Sequence, residues 1–202
     1  MADKRITQLN GLTTIADNDL FAVVDVSESE TKKVSYSDLK GSLSNTLVSS
    51  AYISCYSTSS QQLTASGSSQ SVTFTDVWTN SGVNLVSGSQ LVMEKAGIYK
   101  FSFVAHITNP DNDTHDSYFW IKYNGTNFPN STTSMTLSPR KSSGEASSQL
   151  MTVNIVGVAQ NDNDYIELYW TGDSNTIELT EKPAFNGVPE SPAIIANIVR
   201  VG

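Results

Sequence analysis

The densest group of side chains that could do chemistry lies at residues 109–116, in the run Asn-Pro-Asp-Asn-Asp-Thr-His-Asp. The carboxylates of Asp111, Asp113 and Asp116 are hard oxygen ligands of the kind that Ca²⁺ prefers. The run lacks the glycine and the terminal glutamate of an EF-hand loop. We therefore predict a solvated loop stabilised by Asx turns, with a calcium site on these three carboxylates as the alternative.

Two further groups are candidates for acid–base chemistry or metal binding. Asp162 and Asp164 share one turn, whereas a glycosidase needs two carboxyl groups that face each other across a cleft. His106 has no acid, cysteine or second histidine beside it, and the other histidine of the chain is His115. The sequence contains no phosphate-binding loop, Cys-x-x-Cys pair or nucleophile elbow. We therefore expect a protein that is not an enzyme and that uses no cofactor and no resident metal.

The composition favours a β-rich protein with a polar surface. Of the 202 residues, 38% are hydrophobic and only 16% are charged, and Ser, Thr and Asn are abundant. This length fits one domain plus a short appendage. The net charge of −8 repels phosphate backbones and anionic lipid, so we expect neither nucleic-acid binding nor membrane binding.

The start of the chain and its single cysteine indicate a cytoplasmic site of synthesis. Residues 1–5 are followed by polar residues and not by the apolar stretch of a signal peptide. No segment reaches the roughly 20 apolar residues of a membrane span. Cys55 can form no intrachain disulfide, and its apolar neighbours predict a buried, unreactive thiol.

From Ala51 onward, short strand signals alternate with turn-forming clusters, a pattern typical of an all-β sandwich or barrel. We predict strands near residues 51–57, 70–78, 83–86, 90–94, 97–107, 117–123, 133–138, 149–159, 164–170, 175–181 and 192–200. No helical stripe follows residue 45.

The predicted strand at 97–107 has two different faces. Side chains on one face are apolar and are expected to lie in the core: Tyr99, Phe101, Phe103, Ala105 and Ile107. The opposite face is a mixture of apolar and polar side chains, which is typical of a subunit interface: Ile98, Lys100, Ser102, Val104 and His106.

Residues 1–45 differ in sequence pattern from the rest of the chain. The apolar run at 20–26 predicts a strand, and residues 31–35 are its expected hairpin partner. Ser37 is a plausible N-cap for a short helix with Gly41 near its end. A connector rich in Ser, Asn and Thr follows at 42–50. We therefore predict a small hairpin-and-helix module at 1–45 and a β domain at 46–202.

The region from about residue 90 to 202 resembles the jelly roll of the C1q/tumour-necrosis-factor superfamily. The matching segments are the strand entry at 96–101, the strand and Asn-Gly turn at 120–125, the pair at 153–158 and 164–168, and the last strand at 193–199. The resemblance implies an antiparallel jelly-roll sandwich and a homotrimer. The mixed face of the 97–107 strand would then surround the three-fold axis.

The N-terminal module resembles a segment at the head of virion fibres and decoration proteins of tailed bacteriophages. The pattern is an Ile-Thr-x-Leu lead at 6–9, a strand with Val-Val-Asp within 19–25, and Thr-Lys-Lys-Val-Ser-Tyr-Ser-Asp-Leu at 31–39. The resemblance implies that this segment is a virion-facing anchor. The expected anchor residues are Leu20, Phe21, Val23, Val24, Val26, Tyr36 and Leu39.

Together the two resemblances imply a trimeric capsid decoration protein, either a cement protein or a head fibre. It would be made in the cytoplasm of the host bacterium and lie on the outer surface of the virion, bound to the major capsid protein or another virion protein. We favour decoration because the sequence has no long shaft between the anchor and the jelly roll. The alternative is a tail-fibre or head-fibre tip that binds a host surface glycan through stacked aromatic rings, for which the candidates are Tyr118, Tyr123, Phe128 and Phe185.

Overall fold

The computed structural model describes residues 14–46 and 50–202, with side chains for 14–43 and 50–202. The Ile-Thr-x-Leu lead at 6–9 lies outside these residues. The chain divides into two compact units, Met1–Ser49 and Ser50–Gly202. In the described residues, no helix is long and apolar enough to cross a membrane.

The first unit contains an antiparallel hairpin followed by a helix. Strand β1 (Leu20–Asp25) pairs with strand β2 (Glu30–Ser35), and helix α1 covers Tyr36–Thr46. The Asp25 carboxylate closes the turn because it accepts hydrogen bonds from the Ser27 N–H at 3.1 Å and the Ser27 hydroxyl at 2.6 Å. The hairpin predicted from the sequence is confirmed.

The helix begins earlier and ends later than the sequence predicts. Ser35, and not Ser37, is the N-cap, because its hydroxyl accepts the Asp38 N–H at 3.1 Å and donates to the Asp38 carboxylate at 2.5 Å. Gly41 lies inside the helix and lacks the positive φ of a helix-ending glycine. The predicted end near Gly41 is therefore wrong, and residues 42–46 of the predicted connector are helical.

The second unit contains two antiparallel sheets. Its strands are β3 (Tyr52–Ser57), β4 (Gln61–Gln62), β5 (Gln70–Ser71), β6 (Asp76–Ser81), β7 (Val83–Val86), β8 (Gln90–Met93), β9 (Gly97–Asn109), β10 (His115–Tyr123), β11 (Thr126–Asn127), β12 (Thr133–Leu137), β13 (Ser147–Ala159), β14 (Tyr165–Gly172), β15 (Glu178–Leu179) and β16 (Ile194–Arg200). Sheet I has the order β4-β15-β9-β16-β3-β6, with β13 also paired to β9. Sheet II has the order β11-β10-β14-β8-β7, with β12 also paired to β10 and β5 to β14.

The principal strands pair in a nested order. Strand β3 pairs with β16, β8 with β14, β9 with β13, and β10 with β12. The first of these eight strands thus pairs with the last, the second with the seventh, and so on inward. Two four-stranded layers connected in this way form a jelly roll. The all-β, antiparallel jelly-roll sandwich predicted from the sequence is confirmed.

Both sheets contribute aromatic side chains to the core between them. Phe103 of β9 lies 5.6 Å from Phe119 of β10, centroid to centroid, and Phe119 lies 6.0 Å from Trp170 of β14. Each of these rings is at most 2% exposed. The predicted core face of the 97–107 strand is confirmed, since all of its members are buried: Tyr99, Phe101, Phe103, Ala105 and Ile107.

Two predicted strands are interrupted. The predicted strand at 70–78 separates into β5 and β6, because its backbone bonds in turn to three different neighbours. The N–H groups of residues 72, 74 and 75 donate to the carbonyl groups of Leu168, Gly88 and Tyr56. Of the predicted strand at 175–181, only the two residues of β15 form a strand, and they pair with β9 on one side and β4 on the other. Neither interruption has a glycine or proline signal in the sequence.

Candidate interaction faces of the jelly roll

The outer face of sheet I carries exposed aliphatic side chains on β9, β13 and β16. Residues opposite each other in a ladder share one side of the sheet, and the register places Ile98 opposite Val158 and Lys100 between Val156 and Val199. We call this surface the aliphatic face, and its exposed apolar members are Ile98, Val104, Leu150, Val156, Val158 and Val199.

The aliphatic face has almost no charge. Lys100 is the one charged side chain that the four described strands β3, β9, β13 and β16 present on this side. Leu150, Val156 and Val158 are each 59% to 65% exposed. A polar row of Asn154, Ser102 and Asn197 crosses the face between its apolar side chains. Several exposed aliphatic side chains on one side of a sheet are typical of a surface that another protein covers.

The residues predicted as a trimer interface occupy different depths in this face. Ile98 and Val104 are exposed, and Ser102 is half-buried. His106 is only 9% exposed, and its Nδ1 lies 2.9 Å from the Thr180 carbonyl oxygen. Because a carbonyl can only accept, Nδ1 donates there. His106 therefore lies below the surface and adds little to the face itself.

Sequence reasoning missed the largest contributor to the aliphatic face, strand β13. Its outward side chains alternate with inward ones, and Leu150, Val156 and Val158 are more exposed than any predicted member. Within the described chain, β13 pairs only with β9. The strand has no charged residue and no proline, which are the usual protections of an exposed edge. The alternation was visible in the sequence, but the partner strand was not.

The outer face of sheet II is aromatic and polar. Trp120 of β10 lies opposite Tyr169 of β14, with ring centroids 5.8 Å apart and a tilt of 39°. The Lys122 ammonium lies 3.8 Å from the centroid of the Tyr169 ring. Tyr118, two residues before Trp120 on the same strand, is 37% exposed. We call these four side chains the aromatic face.

Polar groups around the aromatic face are held in place by neighbours on the same chain. The Trp120 Nε1 donates to Asn127 Oδ1 at 2.9 Å. The Asp116 carboxylate accepts a bond from the Thr136 hydroxyl at 2.6 Å, and Glu167 accepts one from Ser89 at 2.9 Å. The rings and carboxylates of this face therefore have fixed positions.

Two of the three aspartates of the calcium alternative, Asp111 and Asp116, have separate partners. Asp111 accepts bonds from Thr176 at 2.5 Å and from His115 at 2.9 Å, while Asp116 is bound to Thr136. In residues 14–46 and 50–202, no group of three His, Cys, Asp or Glu side chains is placed to hold a metal ion. The hydrogen bond from Thr176 is the main reason that the pKa of Asp111 is lowered.

The 109–116 segment is instead a hydrogen-bonded loop. The Asn109 Oδ1 accepts the Asp111 N–H at 2.9 Å, which is the predicted Asx turn. His115, which the sequence left without a role, lies between Asp111 at 2.9 Å and Asp173 at 3.1 Å. It connects this loop to the turn that follows β14.

Asp162 and Asp164 do not form a catalytic pair, because they bind different groups. Asp162 forms an ion pair with Lys95 at 2.8 Å. Asp164 is 6% exposed and accepts bonds from the Tyr123 hydroxyl, from Asn124 at 2.8 Å and from the Asn161 N–H at 2.7 Å. Burial opposes ionisation of Asp164, but these bonds outweigh it and lower its pKa to about 2.

Cys55 is fully buried in β3, and burial raises the pKa of its thiol to about 12. Because the thiolate is the reactive form of cysteine, this thiol is unreactive at neutral pH. The buried cysteine predicted from the sequence is confirmed.

In the first unit, the predicted anchor residues fall into two groups. Phe21, Tyr36 and Leu39 are half-buried, and the rings of Phe21 and Tyr36 lie 6.3 Å apart between hairpin and helix. The other four are exposed, at 41% to 85%: Leu20, Val23, Val24 and Val26. The first group holds the unit together, and the second is free to contact another molecule.

Comparisons with known proteins give distant structural neighbours and no family. No family model matches the sequence. No curated protein matches it. Two crystal structures of murine APRIL, at pH 5.0 and at pH 8.5, are similar to the chain, with a TM-score of 0.47 each and identities of 10% and 9%. Each comparison covers 76% of this chain and 100% of the other.

Proposed function

We propose that this protein is a non-enzymatic structural component of a tailed-phage virion, a homotrimer that decorates the outer surface of the capsid. The observation that carries the proposal is the position of the exposed apolar side chains. One group lies on the aliphatic face of the jelly roll, and the other lies on the separate hairpin unit whose sequence resembles phage anchor segments.

The aliphatic face supports self-association. A net charge of −8 opposes contact between copies through most of their surface. This repulsion is weaker on the aliphatic face, since Lys100 is the one charged side chain that the described strands β3, β9, β13 and β16 present there, and Asp76 lies on β6 at the edge of the sheet. Burying such a surface stabilises an assembly by about 25 cal/mol per Å² of apolar area. Three copies closing around an axis would cover the face on every subunit.

The hairpin unit supports attachment to the virion. A two-stranded hairpin is marginally stable alone, and β1 and β2 pair only with each other in the described chain. Both strands therefore have a free edge to which a partner strand can add, while Val24 and Val26 supply apolar contacts. Three linked anchors on one trimer would raise the binding strength through effective concentration.

Reattachment to virions tests this proposal. Full-length protein with Val24→Asp and Val26→Asp is incubated with phage particles that lack the native protein, and the bound fraction is measured after sedimentation. We expect at least a tenfold loss of binding, because the aspartates place charge in an apolar contact. Val188→Asp, at a 63% exposed valine of the second unit that lies outside the aliphatic face, is the control and is expected to bind. Wild-type binding by the double variant would overturn the anchor assignment.

Electron microscopy of particles with the bound protein distinguishes decoration from the alternative. Many copies spread over the capsid support decoration, whereas a few copies at the tail identify a fibre tip.

A further inference from the structure

The aromatic face has the geometry of a binding platform and lies on the side of the sandwich opposite the aliphatic face. Tyr118 and Trp120 are two residues apart on β10, so their Cα atoms are separated by about 7 Å along the strand. Tyr169 extends the row sideways onto β14, directly opposite Trp120. The three rings thus cover two strands and can contact a ligand longer than one ring.

The platform is fixed before any ligand arrives. Trp120 is held through its Nε1 by Asn127, and Tyr169 is held between the Trp120 ring and the Lys122 ammonium. Side chains that are already ordered lose little conformational entropy on binding. Tyr118 is exposed and the rings of Trp120 and Tyr169 are half-buried, so part of each ring remains accessible to a ligand.

The platform also has unused hydrogen-bonding capacity. In the described part of the chain, the Tyr169 hydroxyl and the Lys122 ammonium make no hydrogen bond with another residue. The Asp116 carboxylate has accepted two bonds, from Tyr118 and Thr136, and a carboxylate can accept about four. Donors and acceptors therefore surround the rings.

We propose that the aromatic face binds a neutral, hydroxyl-rich glycan. Sugar rings present C–H groups to aromatic faces and hydroxyl groups to donors and acceptors at the rim, and this face offers both. Charge favours this ligand class over an anion: the carboxylates of Asp116 and Glu167 outnumber the one ammonium, and the chain as a whole is acidic. A protein partner would leave fewer polar groups at the centre of its contact. The proposal is independent of virion attachment.

An oligosaccharide array with titration of the positive probes tests this inference. The probes are neutral oligomers of glucose, galactose, mannose and N-acetylglucosamine, four to six units long, applied to the full-length protein. Binding is followed by Trp fluorescence and by calorimetry. We expect at least one probe to bind, and Trp120→Ala to weaken it by about fivefold or more, since each aromatic contact contributes on the order of 1 kcal/mol.

Two matched variants keep the test decisive. Tyr169→Phe removes only a hydroxyl and should weaken binding about threefold while the fold is retained. Phe185→Ala removes another exposed aromatic ring, 71% accessible and outside both faces, and should bind as wild type does. The inference is overturned if no probe binds at millimolar concentration, if Trp120→Ala binds as tightly as wild type, or if Phe185→Ala abolishes binding.

Discussion

The two outer faces of the jelly roll differ in how far their side chains are covered by contacts within the same chain. On the aliphatic face, the Val156 and Val158 side chains lie beside their ladder neighbours on β9 and remain about 60% exposed. On the aromatic face, Trp120 and Tyr169 contact each other and bind residues of the same chain. The apolar side chains of the first face are left largely uncovered, whereas the rings of the second are held by contacts within the same chain.

This difference indicates separate tasks for two faces built on one core. Both faces arise because successive side chains of a strand point to opposite sides of the sheet. The inward side chains of both sheets meet in one aromatic cluster. The faces differ in chemistry: exposed hydrocarbon with little charge favours permanent burial, and ordered rings with polar neighbours favour reversible binding in water.

A charge on the aliphatic face should have the largest effect. Val156→Asp, made together with Lys100→Met to remove the ammonium opposite residue 156, places an unpaired carboxylate in the proposed subunit contact of every copy, at several kcal/mol per subunit. We expect sedimentation velocity to show a trimer for wild type and a monomer for the variant. Tyr118→Asp, on the aromatic face, is the control and should remain a trimer. A wild-type monomer, or a trimeric double variant, would contradict the comparison.

A cavity in the shared core should have the next largest effect. Phe103→Ala behind the aliphatic face and Trp170→Ala behind the aromatic face should each lower the free energy of unfolding by about 3–5 kcal/mol. Urea denaturation of the monomeric protein with Lys100→Met and Val156→Asp measures both. Since one core supports both faces, amide hydrogen exchange should accelerate in both sheets for either variant. Acceleration confined to one sheet would mean that the faces fold independently.

The Asp164 network should have the smallest effect, and one that depends on pH. Its pKa of about 2 is below the ordinary value of 3.8, so the ionised carboxylate stabilises the fold. The contribution is complete above pH ~4 and is lost as the pH falls through about 2. Asp164→Asn should lower the free energy of unfolding by about 1–3 kcal/mol at pH 7.

This network joins the turn between β13 and β14 to the end of β10, and therefore links sheet I to sheet II. Denaturation of the Asp164→Asn variant at pH 7 and at pH 2 is the measurement, and the difference from wild type should shrink at pH 2. Tyr123→Phe removes one bond and is the graded control, with a loss of about 1 kcal/mol. A difference that stays constant with pH would exclude the carboxylate as its source.

The sequence predicts the strands of the second unit well, because alternation and turn residues are local signals. The strand at 97–107 is extended by two residues in β9, and its core face is correct. The hairpin of the first unit is correct for the same reason. The helix end is wrong because Gly41 looks like a terminator unless its backbone conformation is known.

The candidate faces are less predictable, because they depend on register between distant segments. The mixed face of β9 was recognised, but its extension by Val156 and Val158 needed the pairing of β13 with β9. The aromatic face needed Trp120 to lie opposite Tyr169, and nothing local specifies that pairing. His106 was predicted on the correct side, but its burial depends on Thr180, from another part of the chain.

The position of β16 in sheet I has a consequence for biosynthesis. It is the last strand of the described chain, yet it lies in the interior of the sheet, between β9 and β3. When the ribosome has completed β13, it has not yet made β16, the strand that pairs with both β3 and β9. Pairing between such distant segments slows folding. The aliphatic face, to which β16 contributes Val199, is therefore finished only after this strand has been made and has paired.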